Sequence, residues 1–92
     1  MNKSKYIVKV YRSLTSIIAQ AIDESGAVVL GQRFVYQSGK KPLDQAAQFG
    51  EKFGSDLLKK NVEKIVFDRS GFRYHGKIKA FADGMRKSGL EF

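Results

Sequence analysis

The apolar pattern changes period at residues 38–42, and that change limits the fold more than any other feature of the sequence. Before this point the apolar residues alternate. Residues 6–12 (YIVKVYR), 17–22 (IIAQAI) and 27–36 (AVVLGQRFVY) are rich in β-branched and aromatic side chains, which predicts three strands. Tyr6, Val8 and Val10 then share one face. Asp23, Glu24, Ser25 and Gly26 supply turn residues between the second and third strands, and Gly26 can take a positive φ at little cost. The short connections predict an antiparallel meander.

After Ser38, Gly39, Lys40, Lys41 and Pro42, small and apolar residues recur at 43, 46, 47, 50, 53, 54, 57 and 58. This is one face of a 3.6-residue period, which predicts a helix over residues 43–60. Gly50 and Gly54 each cost helix propensity of about 1 kcal/mol, so they are expected to let the helix approach the sheet closely. Lys59 and Lys60 suit the negative helix end, and Asn61 suits a left-handed exit. Residues 63–67 (EKIVF) predict a fourth strand, residues 68–75 a loop and residues 77–88 a second helix with Ile78, Phe81, Ala82 and Met85 on its apolar face. Gly89 is placed to end that helix, and Leu90 and Phe92 are placed to fold back as an apolar latch.

The element order is therefore βββαβα, a mixed α/β (α+β) arrangement in one domain over residues 1–92. A crossover helix lets the fourth strand run parallel to a strand of the meander. The expected architecture is a ribonuclease H-like mixed sheet covered by two helices. A ferredoxin-like βαββαβ order fits worse, because three strands precede any helix.

Charge narrows the function. Lys and Arg number 17 against 9 Asp and Glu, a net charge of +8. Such an excess favours a polyanionic partner, either nucleic acid or an anionic membrane surface. Positive charge gathers near the two ends of the chain: Lys3, Lys5, Lys9 and Arg12 precede any acid, and residues 68–87 carry Arg69, Arg73, Lys77, Lys79, Arg86 and Lys87 against Asp68 and Asp83. The absence of cysteine excludes disulfides and Cys-based zinc sites. No run approaches a membrane-spanning length, and the first residues lack the apolar core of a signal peptide, so the expectation is a cytoplasmic protein.

Residues 68–79 (DRSGFRYHGKIK) hold the densest chemistry. Arg69, Arg73, Lys77 and Lys79 can neutralise phosphates, Phe72 and Tyr74 offer flat faces to unstacked bases or riboses, and the segment leads into a helix N-terminus. In the alternative reading Phe72 and Tyr74 pack on the core and the cations are simply solvated. Arg12, Ser13, Leu14, Thr15 and Ser16 join two strands at a sheet end, where a guanidinium and three hydroxyls suit phosphate and ribose 2′-OH, or else make an ordinary polar turn. Lys3 and Lys5 form a short basic tail, and Lys40 and Lys41 a basic loop.

Catalysis finds little support. His75 is the sole histidine, and Asp68 is the only carboxylate near it in sequence. A nuclease of ribonuclease H-like fold would cluster several carboxylates around Mg²⁺, but the expected strands carry no acid except Glu63. The expectation is no catalytic residue, no metal and no cofactor. A small metal-dependent nuclease is the enzymatic alternative, and a free-standing RNA- or DNA-binding regulator is the alternative among binders.

One resemblance is specific. Phe67, Asp68 and Arg69, then Gly71, Phe72, Tyr74, His75 and Gly76, then Gly89, Leu90 and Phe92 reproduce a strand ending Phe-Asp-Arg, a Gly-aromatic-x-Tyr-His-Gly loop and a terminal Gly-Leu-x-Phe. This resembles the C-terminal half of large-subunit ribosomal protein 18 of the bacterial type. The run VYRSLTSIIAQAID, with Arg12, Ala19 and Gln20, resembles the first hairpin of the same family. The resemblance implies a ribonuclease H-like fold without enzymatic activity and a place in the large ribosomal subunit. It further implies binding to 5S rRNA, attachment to 23S rRNA in the central protuberance, neighbouring large-subunit proteins and no membrane. It carries RNA contact over to Arg12, Arg69, Arg73, Tyr74, His75 and Lys77. Two departures stand out: family members usually begin with a longer basic arm, and the connection at residues 38–42 is shorter than usual. Each phosphate that a longer arm would neutralise steepens the salt dependence of log K by about 0.9 on duplex, so a chain with a short arm is expected to bind more weakly in isolation.

Overall fold

The computed structural model describes residues 6–13, 15–68 and 76–92. Its elements are β1 (Ile7–Arg12), β2 (Ser16–Ile22), β3 (Val28–Val35), α1 (Pro42–Lys59), β4 (Val66–Asp68) and α2 (Lys77–Ser88). The expected order βββαβα is the observed one. One four-stranded sheet runs β3-β2-β1-β4, with β1–β2 and β2–β3 antiparallel and β1–β4 parallel.

The period-2 pattern sorts the strands into two faces. Val8 and Val10 of β1 and Ile17, Ala19 and Ala21 of β2 are fully buried and join one core with Phe49, Phe53 and Leu57 of α1 and Ile78, Phe81 and Met85 of α2. Both helices therefore cover the same face. The other face stays open: Val66, Ile7, Ile22 and Val28 lie in register across all four strands, and Val66 keeps 57% of its surface exposed. The expected covering by helices is confined to one side. Rings run through the core, from Tyr36 on Phe34 to Phe49, Phe81, Phe67 and Phe92, with centroids 5.2–6.4 Å apart.

Turn chemistry fixes the meander. The Asp23 carboxylate accepts the backbone N–H groups of Ser25 and Ala27 and the Ser25 hydroxyl, while Gly26 takes φ +91°. These bonds, led by the one from the Ser25 hydroxyl, hold the Asp23 carboxyl below the usual carboxylate range. α1 begins with Pro42 in its first turn, where a missing N–H costs nothing, and Asn61 leaves it at φ +65°. Buried Gln45 ties the preceding loop down: its side-chain oxygen accepts the Gln37 N–H, and its amide donates to the Gln37 and Lys40 carbonyls.

Two local expectations are corrected. Gly50 and Gly54 face α2, not the sheet: a methyl group on Gly50 would strike the Phe81 carbonyl, and one on Gly54 the Ser88 hydroxyl. Gly84 of α2 answers them, since a methyl there would meet the Ala47 carbonyl. The glycines thus serve a backbone-to-backbone helix crossing. The fourth strand is also shorter than the expected residues 63–67. The Ile65 N–H donates to the Glu91 carbonyl and the Glu91 N–H to the Glu63 carbonyl, so residues 63–65 pair with the C-terminal tail, and β1 pairs only from Val66 onward. The expected latch is present: Leu90 is buried, and Phe92 packs on Phe67 under the Arg86 guanidinium.

Candidate nucleic-acid interface

The ends of β1 and β3 and the starts of β2 and α2 meet at one end of the sheet. Antiparallel pairing sets Arg12 opposite Ile17 and Ser16 opposite Val35, and parallel pairing makes β4 leave toward the same end at Asp68. The remote pieces of sequence predicted to contact RNA are thereby brought together, as far as they are described. Lys3, Lys5, Arg69, Phe72, Arg73, Tyr74 and His75 lie outside the described residues. Of the residues flanking them, Asp68 and Gly76 close β4 and precede α2.

The turn from β1 to β2 is held by its own hydroxyls. The Ser16 N–H and the Thr15 N–H donate to the Ser13 hydroxyl at 3.1 and 3.3 Å, and the Ser13 and Ser16 hydroxyls are 2.9 Å apart. Ser16 is buried, and its hydroxyl is engaged with Ser13, whereas Arg12, Ser13 and Thr15 are exposed. The Thr15 carbonyl accepts the Tyr36 N–H at 2.8 Å, which fastens the turn to the exit of β3.

The two described lysines of the loop-to-helix segment differ in electrostatic setting. The Lys79 ammonium donates to the Asp83 carboxylate at 3.1 Å, one helical turn on, and shares that carboxylate with the Arg86 guanidinium at 3.6 Å, so its charge is partly compensated. The Lys77 ammonium has no carboxylate among the described residues; it sits 4.5 Å from the centre of the Tyr36 ring. α2 opens on Gly76, which has no side chain with which to cap the first N–H groups. An anion at this end would meet positive charge from a helix start and from a lysine held on a ring, neither with a carboxylate partner among the described residues.

Tyr36 is the residue at this end that sequence reasoning does not single out, since the pattern marks it only as the last residue of a strand. Its ring packs edge-on against Phe34 at 5.6 Å, and its hydroxyl is buried with no hydrogen-bond partner among the described residues. Burial pushes that hydroxyl up to about 12, although the Arg12 guanidinium acts to lower it. A strand-end tyrosine followed by a polar loop is the only signal available, and it does not foretell a lysine forty-one residues later.

The open sheet face continues from this end. Lys9, Gln20 and Gly31 lie in register across β1, β2 and β3, followed by Tyr11, Ile18 and Arg33, and Tyr11 and Arg33 are exposed. Among the described residues no group of three or more His, Cys, Asp or Glu side chains could hold a metal ion. No described helix is long and apolar enough to cross a membrane.

The comparisons with known proteins agree with one another. Residues 2–92 match the family described as ribosomal L18 of archaea, bacteria, mitochondria and chloroplast. A large ribosomal subunit protein uL18 from Mycoplasmopsis pulmonis is 40% identical over 89 residues, covering 92% of this chain and 75% of the relative. One from Lactobacillus johnsonii is 41% identical over 90 residues, with the same two coverages. One from Aquifex pyrophilus is 45% identical over 92 residues, covering 90% of this chain and 74% of the relative.

Proposed function

This chain belongs to the ribosomal L18 family, bacterial type, and from that premise we propose that it binds 5S rRNA and helps attach it to 23S rRNA in the central protuberance. Its role is structural, not enzymatic: it is an rRNA-associated constituent of the large ribosomal subunit and acts in translation in the cytoplasm. Residues 1–92 act as one ribosomal domain, with 5S rRNA, 23S rRNA and neighbouring large-subunit proteins as partners and no cofactor.

The observation that carries the reading is the convergence of Arg12, Ser13, Thr15 and Lys77 on one end of the sheet, around Tyr36, next to the ends of the chain segment that holds Arg69, Phe72, Arg73, Tyr74 and His75. In this reading Arg12, Arg69, Arg73 and Lys77 neutralise phosphates, and Lys3, Lys5 and Lys79 add weaker attraction. Ser13 and Thr15 meet ribose or phosphate oxygens, and Ser16 fixes the turn that presents them. Phe72, Tyr74 and His75 contact bases or riboses. Folded RNA is read chiefly through its shape and its 2′-OH groups, so such a set gives selectivity without reading a groove sequence.

Binding to 5S rRNA and to an unrelated tRNA at physiological salt tests the proposal. A clear preference for 5S rRNA supports it, and equal affinity would mark a general RNA binder. The double change Arg69→Ala with Arg73→Ala is expected to weaken 5S binding and leave the circular dichroism spectrum unchanged. Retained affinity would show that the RNA face lies elsewhere.

A further inference from the structure

We propose that Tyr36 is a positioning residue for RNA binding: its ring holds the Lys77 ammonium at the sheet end so that this cation is presented, already ordered, to a backbone phosphate. The inference rests on the RNA-binding reading above and adds to it a residue and a role. Tyr36 is held from three directions. Its N–H donates to the Thr15 carbonyl at 2.8 Å, its ring is buttressed by Phe34, and the face of the ring carries the Lys77 ammonium at 4.5 Å. The ring is thus fixed by the sheet on one side and offers a seat to the first residue of α2 on the other.

The ring matters because of what a free lysine costs. A lysine side chain has many rotamers, and ordering it on a phosphate removes about 1.5–2 kcal/mol of conformational freedom. A carboxylate would also order the chain, as Asp83 does for Lys79, but it would cancel the charge that phosphate needs. An aromatic face orders the ammonium and leaves its charge intact. The two lysines, two residues apart on one helix, therefore differ in kind, and Lys77 is the one prepared for an anion.

The test measures affinity of the full chain for a bacterial 5S rRNA transcript across a salt series, in the wild type and in Tyr36→Phe, Tyr36→Leu, Lys77→Ala and the double variant Tyr36→Leu with Lys77→Ala. Tyr36→Phe keeps the ring and is expected to bind as the wild type does. Tyr36→Leu is expected to weaken binding about two- to fivefold, the worth of one exposed cation–ring contact. In the Lys77→Ala background the same change is expected to add nothing. A further loss there, or an equal loss from Tyr36→Phe, overturns the positioning role while leaving the RNA site standing. No effect from Lys77→Ala alone overturns both, because that lysine then meets no phosphate. In the free protein, the Lys77 ε-methylene protons are expected to carry an upfield ring-current shift in wild type and Tyr36→Phe. Absence of that shift overturns the proposal even if Tyr36→Leu does not fold.

Discussion

The seam between α1 and α2 and the cationic end of the sheet belong to one small fold and are held in opposite ways. At the seam, Gly50, Gly54 and Gly84 let backbone meet backbone, and Phe53, Phe81 and Met85 fill the remaining space without exposure to water. Its energy is dispersion and apolar burial, and its specificity is steric. At the sheet end, hydroxyls, a ring and cations meet beside solvent, and Lys77 rests on a ring with no carboxylate partner among the described residues. The seam answers the question of whether the chain folds; the sheet end answers what the folded chain attracts. Substitutions in the seam should move melting temperature, and removal of a placed cation at the sheet end should move RNA affinity.

The largest effect is expected from Phe81→Ala. The ring is fully buried and touches the rings of Phe49, Phe53 and Phe67, so removal should cost about 3–5 kcal/mol. In a chain of this size each kcal/mol lowers the melting temperature by about 4–8 °C, which thermal denaturation would register at once. An unchanged midpoint would show that the helical layer is not the stabilising region. Gly84→Ala comes next. Helix propensity alone predicts a gain of about 1 kcal/mol, but the new methyl would meet the Ala47 carbonyl, and overpacking of this kind costs about 1–3 kcal/mol. A net loss is expected in denaturant titration; a net gain would mean that the helices can separate freely.

The two regions were unequally legible in the sequence. The seam's residues announced themselves through period: the apolar stripe of α1 and the run Ile78, Phe81, Ala82 and Met85 gave both helices to within a residue. The partner of Gly50 and Gly54 was not legible, because a glycine in a helix signals close approach without saying to what. Pattern likewise could not foretell that residues 63–65 would pair with Glu91, since a short apolar run does not name its neighbour. At the sheet end, composition and motif marked Arg12 and Thr15 in one turn and Lys77 far along the chain. Tyr36, on which they meet, carries no local pattern; its importance comes from strand register and from where α2 begins.

Two cations inside the sheet end should also behave differently. Lys77→Ala and Lys79→Ala remove equal charge from the same helix. Lys79→Ala should shift stability by no more than about 0.5 kcal/mol, the worth of an exposed i,i+4 ion pair, and Lys77→Ala by about 0.5–1 kcal/mol, the worth of its contact with the Tyr36 ring. Lys77→Ala should lower affinity for 5S rRNA by about tenfold at physiological salt, the scale of one charged hydrogen bond, and reduce the salt slope by about 0.9. Lys79→Ala should do less on both measures, because Asp83 already compensates its charge. Equal effects would mean that the end attracts RNA by bulk charge, not by placed cations.

The smallest effect comes from one oxygen atom. The Tyr36 hydroxyl is buried without a partner among the described residues, so Tyr36→Phe should raise stability at neutral pH by about 1 kcal/mol. Its pH dependence has a definite sign. Burial lifts the folded hydroxyl from the ordinary 10.0 to about 12. Between those values the unfolded chain has lost the phenol proton while the folded chain keeps it. Because stability falls with pH wherever the unfolded state binds fewer protons, the wild type should lose stability across this window. Tyr36→Phe lacks that group, so its advantage over the wild type should widen from pH 10 to 12 in denaturant melts. A constant difference would mean that water reaches the hydroxyl in the folded protein.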